Sequence, residues 1–82
     1  MDIESIRYMV SVFVKDGKEK DLCMCIFLKN KEHFYAYSYE CVKVDALMFN
    51  NTLYFETENS KSMICFNEIC AIKINKIDKR CS

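Results

Sequence analysis

The sequence predicts an all-β fold: a small antiparallel barrel or strongly bent meander of five to six strands, with at most one short helix. Three observations carry this. Apolar and polar residues alternate at period two over much of the chain. Turn signals recur about every 8–12 residues, the spacing of short strands in barrels and sandwiches. No helical pattern is read over more than about 12 residues, and strands this closely spaced leave no room for parallel crossovers.

The elements follow in chain order. Ser5 to Lys15 is read as the first strand, because Ile6, Tyr8, Val10, Val12 and Val14 fall on alternating positions and share one face. Asp16-Gly17 holds the only glycine and is the strongest hairpin signal, since Asp-Gly supplies the positive φ that tight turns use. Asp21 to Leu28 is the return strand. Leu22, Met24, Ile26 and Leu28 share one face; Cys23, Cys25 and Phe27 share the other. A strand apolar on both faces is central or covered on both sides.

Asn30 to His33 is the second turn, and Phe34 to Val44 is an extended aromatic and β-branched run. Any short helix falls there or at Asp45 to Asn50. Asn50-Asn51 is a turn, because Asn tolerates the left-handed region. Leu53–Thr57, Ser62–Phe66 and Ile69–Ile74 are the last three strands, joined by the polar Glu58–Lys61 connection and the brief Asn67-Glu68 break. Residues 76–82 are expected to fray.

The stretch Ser62 to Ile74, with a one-turn break at Asn67-Glu68 between a short strand and a last strand, resembles the small Sm-like β-barrels, which place a short 3₁₀ turn there. The likeness covers about the last 25 residues. No N-terminal helix is read in this chain, its one glycine does not supply the glycine-containing motifs of Sm proteins, and no functional residue is carried over.

Length and composition bound the function. Eighty-two residues make one domain, 1–82, whose core is thin, because a chain this short buries only roughly 60–65% of its unfolded surface. Oligomerisation is one way such domains gain stability. Twelve basic and twelve acidic residues cancel, which argues against a dominant nonspecific grip on nucleic acid. Locally, Lys73, Lys76, Lys79 and Arg80 form a basic edge against Asp78 alone.

Six cysteines invite a disulfide framework, but Met1 to Arg7 lacks the basic and long apolar segments of an export signal. Reduced thiols, a cytoplasmic location and no membrane association are therefore expected. Cys23-Met24-Cys25 and Cys65-x4-Cys70 do not have zinc-site spacing, and His33 is the only histidine, so no metal or other cofactor is expected. A cysteine nucleophile would need a basic partner beyond His33, and one glycine cannot build a phosphate loop. No enzyme activity is expected.

The candidate site is Tyr35, Tyr37 and Tyr39, which at period two lie on one face of one strand, together with Phe27, which shares a face of the strand beside it with Cys23 and Cys25. Flat rings with one hydroxyl suit a protein–protein surface. The chain is expected to be a small non-catalytic interaction protein that occupies the surface of a protein partner and forms a homo-oligomer. Its Lys-, Asn- and Ile-rich, proline-free composition fits an inhibitor from an AT-rich bacterium or its phage. The alternative is a barrel that binds a nucleotide or single-stranded nucleic acid by tyrosine stacking.

Overall fold

The computed structural model describes residues 1–77. The chain begins with a helix, α1 (Ile3–Asp16). Asp2 caps it: its carboxylate accepts the Ser5 N–H at 2.7 Å and satisfies one of the donors a helix start leaves open. Glu4 in the first turn and Lys15 in the last complement the helix dipole. Ile6, Val10 and Phe13, at i, i+4 and i+7, form the buried stripe.

This corrects the strand expected over Ser5–Lys15. Alternation of Val10, Val12 and Val14 imitates a strand, but the same segment carries a 3.6-residue stripe, and packing on the sheets selects it. Tyr8 is 66% exposed and Val14 39% exposed, so the face the strand would have buried is divided between core and solvent. The structure also contains the N-terminal helix that had not been read from the sequence.

Six strands follow: β1 (Leu22–Leu28), β2 (His33–Tyr37), β3 (Cys41–Leu47), β4 (Thr52–Thr57), β5 (Lys61–Cys65) and β6 (Ile69–Lys76). They make two antiparallel three-stranded sheets, ordered β2-β1-β6 and β3-β4-β5. Among the described residues no closed barrel forms; the expectation of a barrel resolves to a mostly-β fold of two sheets and one helix. β1 is the central strand its two-faced apolarity predicts, but its neighbours are β2 and β6 rather than an N-terminal strand.

Asp16-Gly17 is not a hairpin. Gly17 ends α1 with φ −64°, and its N–H donates to the Phe13 carbonyl at 2.9 Å. Its role is close approach: a Cβ here would lie 2.5 Å from the Phe13 carbonyl oxygen and 2.8 Å from Ser38 Cβ. Ser38 cannot easily yield, because its hydroxyl accepts the Leu22 N–H and its own N–H donates to the Leu22 carbonyl, both at 2.8 Å. Gly17→Ala is therefore expected to cost about 1–3 kcal/mol, read from the midpoint of urea unfolding; an unchanged midpoint would show that the corner relaxes freely.

The other turns are closer to expectation. Lys31, at φ 72°, turns the β1–β2 hairpin. Asn51, at φ 51° and ψ 46°, ends a 3₁₀ turn over Met48–Asn50 in the left-handed region. A second 3₁₀ turn, Phe66–Glu68, separates β5 from β6 where the Sm-like resemblance expects one. Lys76 lies in β6, not in a tail, and the Ile77 N–H donates to the Asp21 carbonyl at 2.9 Å.

One core joins all layers. Ile6, Val10 and Phe13 from α1 meet Met24 and Ile26 from β1, Leu53 and Phe55 from β4, and Phe66 and Ile69 at the β5–β6 corner. Phe34 on β2 meets Phe55 at a centroid distance of 5.1 Å, bringing the two sheets together. With Leu22, Met24 and Ile26 turned to the core, strand alternation turns Cys23, Cys25 and Phe27 to the opposite face.

Candidate functional site

The outward face of the β2-β1-β6 sheet collects most of the aromatic residues singled out from the sequence. Register fixes the arrangement in three rows. Tyr37 pairs with Cys23, which pairs with Asn75; Tyr35 pairs with Cys25, which pairs with Lys73; His33 pairs with Phe27, which pairs with Ala71. The rows are one pleat apart, and aromatic side chains occupy the β2 flank and the end of β1. Lys73 stands on the β6 flank.

The aromatic side chains touch one another in sequence along this surface. Phe27 and His33 meet edge to face at 4.7 Å, and His33 and Tyr35 at 6.2 Å. The Tyr35 hydroxyl lies 3.4 Å from His33 Nδ1. Tyr37 and Tyr39 pack at 5.7 Å. Tyr35 is 53% exposed and Tyr39 62% exposed, whereas Tyr37 and Phe27 are half-buried and Cys25 is buried beside them.

The expected run of three tyrosines on one strand is corrected in one respect. β2 ends at Tyr37, where Ser38 turns back onto Leu22, so Tyr39 sits in the turn before β3 and reaches the face only by packing on Tyr37. The basic edge divides. Lys73 shares the parity of Cys25 and lies on the aromatic face; Lys76, three residues on, pairs with Leu22 and takes the opposite parity. Lys79 and Arg80 lie outside the described residues.

The local electrostatics favour the uncharged forms of two phenols and one thiol on this surface, beside the basic side chain of Lys73. The Tyr35 phenol is held above its usual range, first by the charge that Cys25 would carry as a thiolate and then by hydrogen bonding with that thiol. Burial, followed by the charge of Glu40, does the same to Tyr39. Desolvation pushes the Cys23 thiol up, with Cys25 adding to the effect. Cys23 therefore stays protonated near neutrality and is a weak nucleophile. Protonated phenols present hydroxyl donors and flat rings, which is binding chemistry.

The cysteines are dispersed. Cys23, Cys25, Cys41, Cys65 and Cys70 are free, and Cys81 lies outside the described residues. Among the described residues no group of three or more His, Cys, Asp or Glu side chains is placed to hold a metal ion. No helix there is long and apolar enough to cross a membrane, a statement that does not bear on strands.

A feature not legible in the sequence is a separate cleft of about 630 Å³ where the N-terminus of α1 meets both 3₁₀ turns, with Ile3, Asn51 and Phe66 in its wall. The Met1 amino group donates to the Ile69 carbonyl at 3.5 Å at this end of the molecule. Its walls come from segments far apart in the chain, so no local motif marks it. Its lining shares no residue with the aromatic rows, and the rows, not the cleft, concentrate the residue types that dominate protein recognition. Comparison with protein-family models, with curated proteins and with solved structures finds no match to this chain.

Proposed function

We propose that this chain is a small non-catalytic interaction protein that binds a protein partner through the outward face of the β2-β1-β6 sheet and acts by occupying the partner's surface. The supporting observation is the side-by-side placement of Phe27, Tyr35 and Tyr37 on that face, extended by Tyr39, with Tyr35 and Tyr39 more than half exposed. Rings of this kind supply large contact areas at small entropic cost, and such residues dominate binding energy in protein interfaces. An inhibitor of a larger bacterial or phage assembly, working in the cytoplasm with its thiols reduced, is the role that fits small size, neutral charge and an exposed aromatic surface.

A second proposal rests on one observation. Lys73 faces the same side as Tyr35 and Tyr37, so a base could stack on a ring while its phosphate meets the ammonium. The two separate experimentally. Protein purified from its source should show a 260/280 nm absorbance ratio free of nucleotide and should capture a defined protein. Tyr37→Ala should then weaken that complex by about 1–3 kcal/mol, roughly 5- to 150-fold in Kd, while far-UV circular dichroism stays native. Full affinity in Tyr37→Ala would remove the face from the interaction; co-purifying nucleotide would favour the stacking proposal.

A further inference from the structure

We infer that in the free protein the aromatic face is covered by a second copy of the same chain, stacked face to face about a two-fold axis running along β1. This rests on the face being a protein-binding surface and names its occupant. The middle row carries the argument. Tyr35 and Lys73 flank Cys25 on opposite sides, two strand spacings or roughly 9–10 Å apart. Of the positions on this face, the row sets a cation on one flank and an open aromatic ring, 53% exposed, on the other.

That arrangement is self-complementary under one operation. A two-fold axis along β1 exchanges the flanks, so Lys73 of each copy comes over Tyr35 of the other, and two cation–ring contacts form at once. An axis across the strands would instead bring Lys73 against Lys73. The chosen axis keeps the two β1 strands in the same direction, within the angle at which stacked sheets pack. It also brings Phe27 opposite Phe27.

Area limits the strength. Three strands about 4.8 Å apart, over some five residues of about 3.3 Å, give a footprint of roughly 240 Å² before the rim is added. That is well short of the about 800 Å² per partner typical of stable complexes. The dimer is therefore weak and exchangeable. It shields the rings when no partner is present and yields the face to a partner that buries more of it.

Sedimentation of the whole chain tests this. Wild type is expected to dimerise reversibly in the micromolar range. Tyr35→Ala and Lys73→Ala, both at exposed positions, should each weaken dimerisation about 5- to 30-fold, because each removes both cation–ring contacts. Mixing the two variants is decisive. The mixed dimer regains one intact Lys73–Tyr35 contact and should form about 2- to 5-fold more tightly than either variant alone. A mixture no tighter than the variants would overturn this geometry, even if both dimerise. A wild type that stays monomeric at high micromolar concentration would overturn the second copy altogether. If that monomer's complex with a captured partner is still weakened by Tyr37→Ala, the protein-binding face stands without the dimer.

Discussion

Phe13→Ala is expected to lower folding stability by about 3–5 kcal/mol, enough to unfold a marginal domain of this size. Phe13 is 2% exposed and lies on the α1 stripe with Ile6 and Val10, in the core shared by both sheets. Truncation leaves a cavity that α1 cannot fill by sliding, because the close approach of Gly17 to Ser38 fixes its C-terminal end and Ile6 and Val10 stay locked in the same core. Tyr8→Ala supplies the contrast. A strand over Ser5–Lys15 would turn Tyr8 to the same face as Ile6 and Val10, whereas the helix leaves it in solvent. Its cost should stay within about 0.5 kcal/mol. Comparable losses for the two variants in urea unfolding would contradict the helix.

Ile26→Ala is expected to cost about 2–5 kcal/mol. Ile26 is fully buried on the central strand β1, between Phe34 of β2 and Ile72 of β6, and its side chain faces the core cluster. Its neighbour Phe27 points the other way and packs on exposed His33. Adjacent residues of similar hydrophobicity thus have different roles, set only by the pleat. A loss below about 1 kcal/mol on Ile26→Ala would mean that the register of β1 is slipped by one residue, which would turn the aromatic face inward.

The C-terminal half was the more legible part of the fold. Its strands are short, its turns use Asn and polar runs, and both Asn51 and the break before β6 adopt the geometry their residues favour. The N-terminus misled because β-branched residues at Val10, Val12 and Val14 satisfy a period of two while Ile6, Val10 and Phe13 satisfy 3.6. Signals for the helix were present: Asp2 ahead of Ser5, Glu4 early and Lys15 late. A strand over that segment needs a hairpin at Asp16-Gly17, whereas the helix needs only a cap there, and Gly17 provides it.

Most of the candidate face was legible because strand parity depends only on spacing. Tyr35 and Tyr37 share a face by sequence, and so do Cys25 and Phe27. What spacing does not specify is register between strands, which places Lys73 across Cys25 from Tyr35 and leaves Lys76 on the other side. Nor does it reveal that Ser38 ends β2 by bonding to Leu22, sixteen residues away in sequence.

The most direct test of the binding face is whether its rings are dispensable for folding. The measurement is urea unfolding of the Tyr35→Ser, Tyr37→Ser double variant at low micromolar concentration, followed by far-UV circular dichroism. A native spectrum and one cooperative transition with an unchanged m-value are expected, because both side chains lie on the face away from the core. A variant that is unfolded in buffer, or whose transition loses its cooperativity, would show that the tyrosines hold the domain together and that the face is not free to bind.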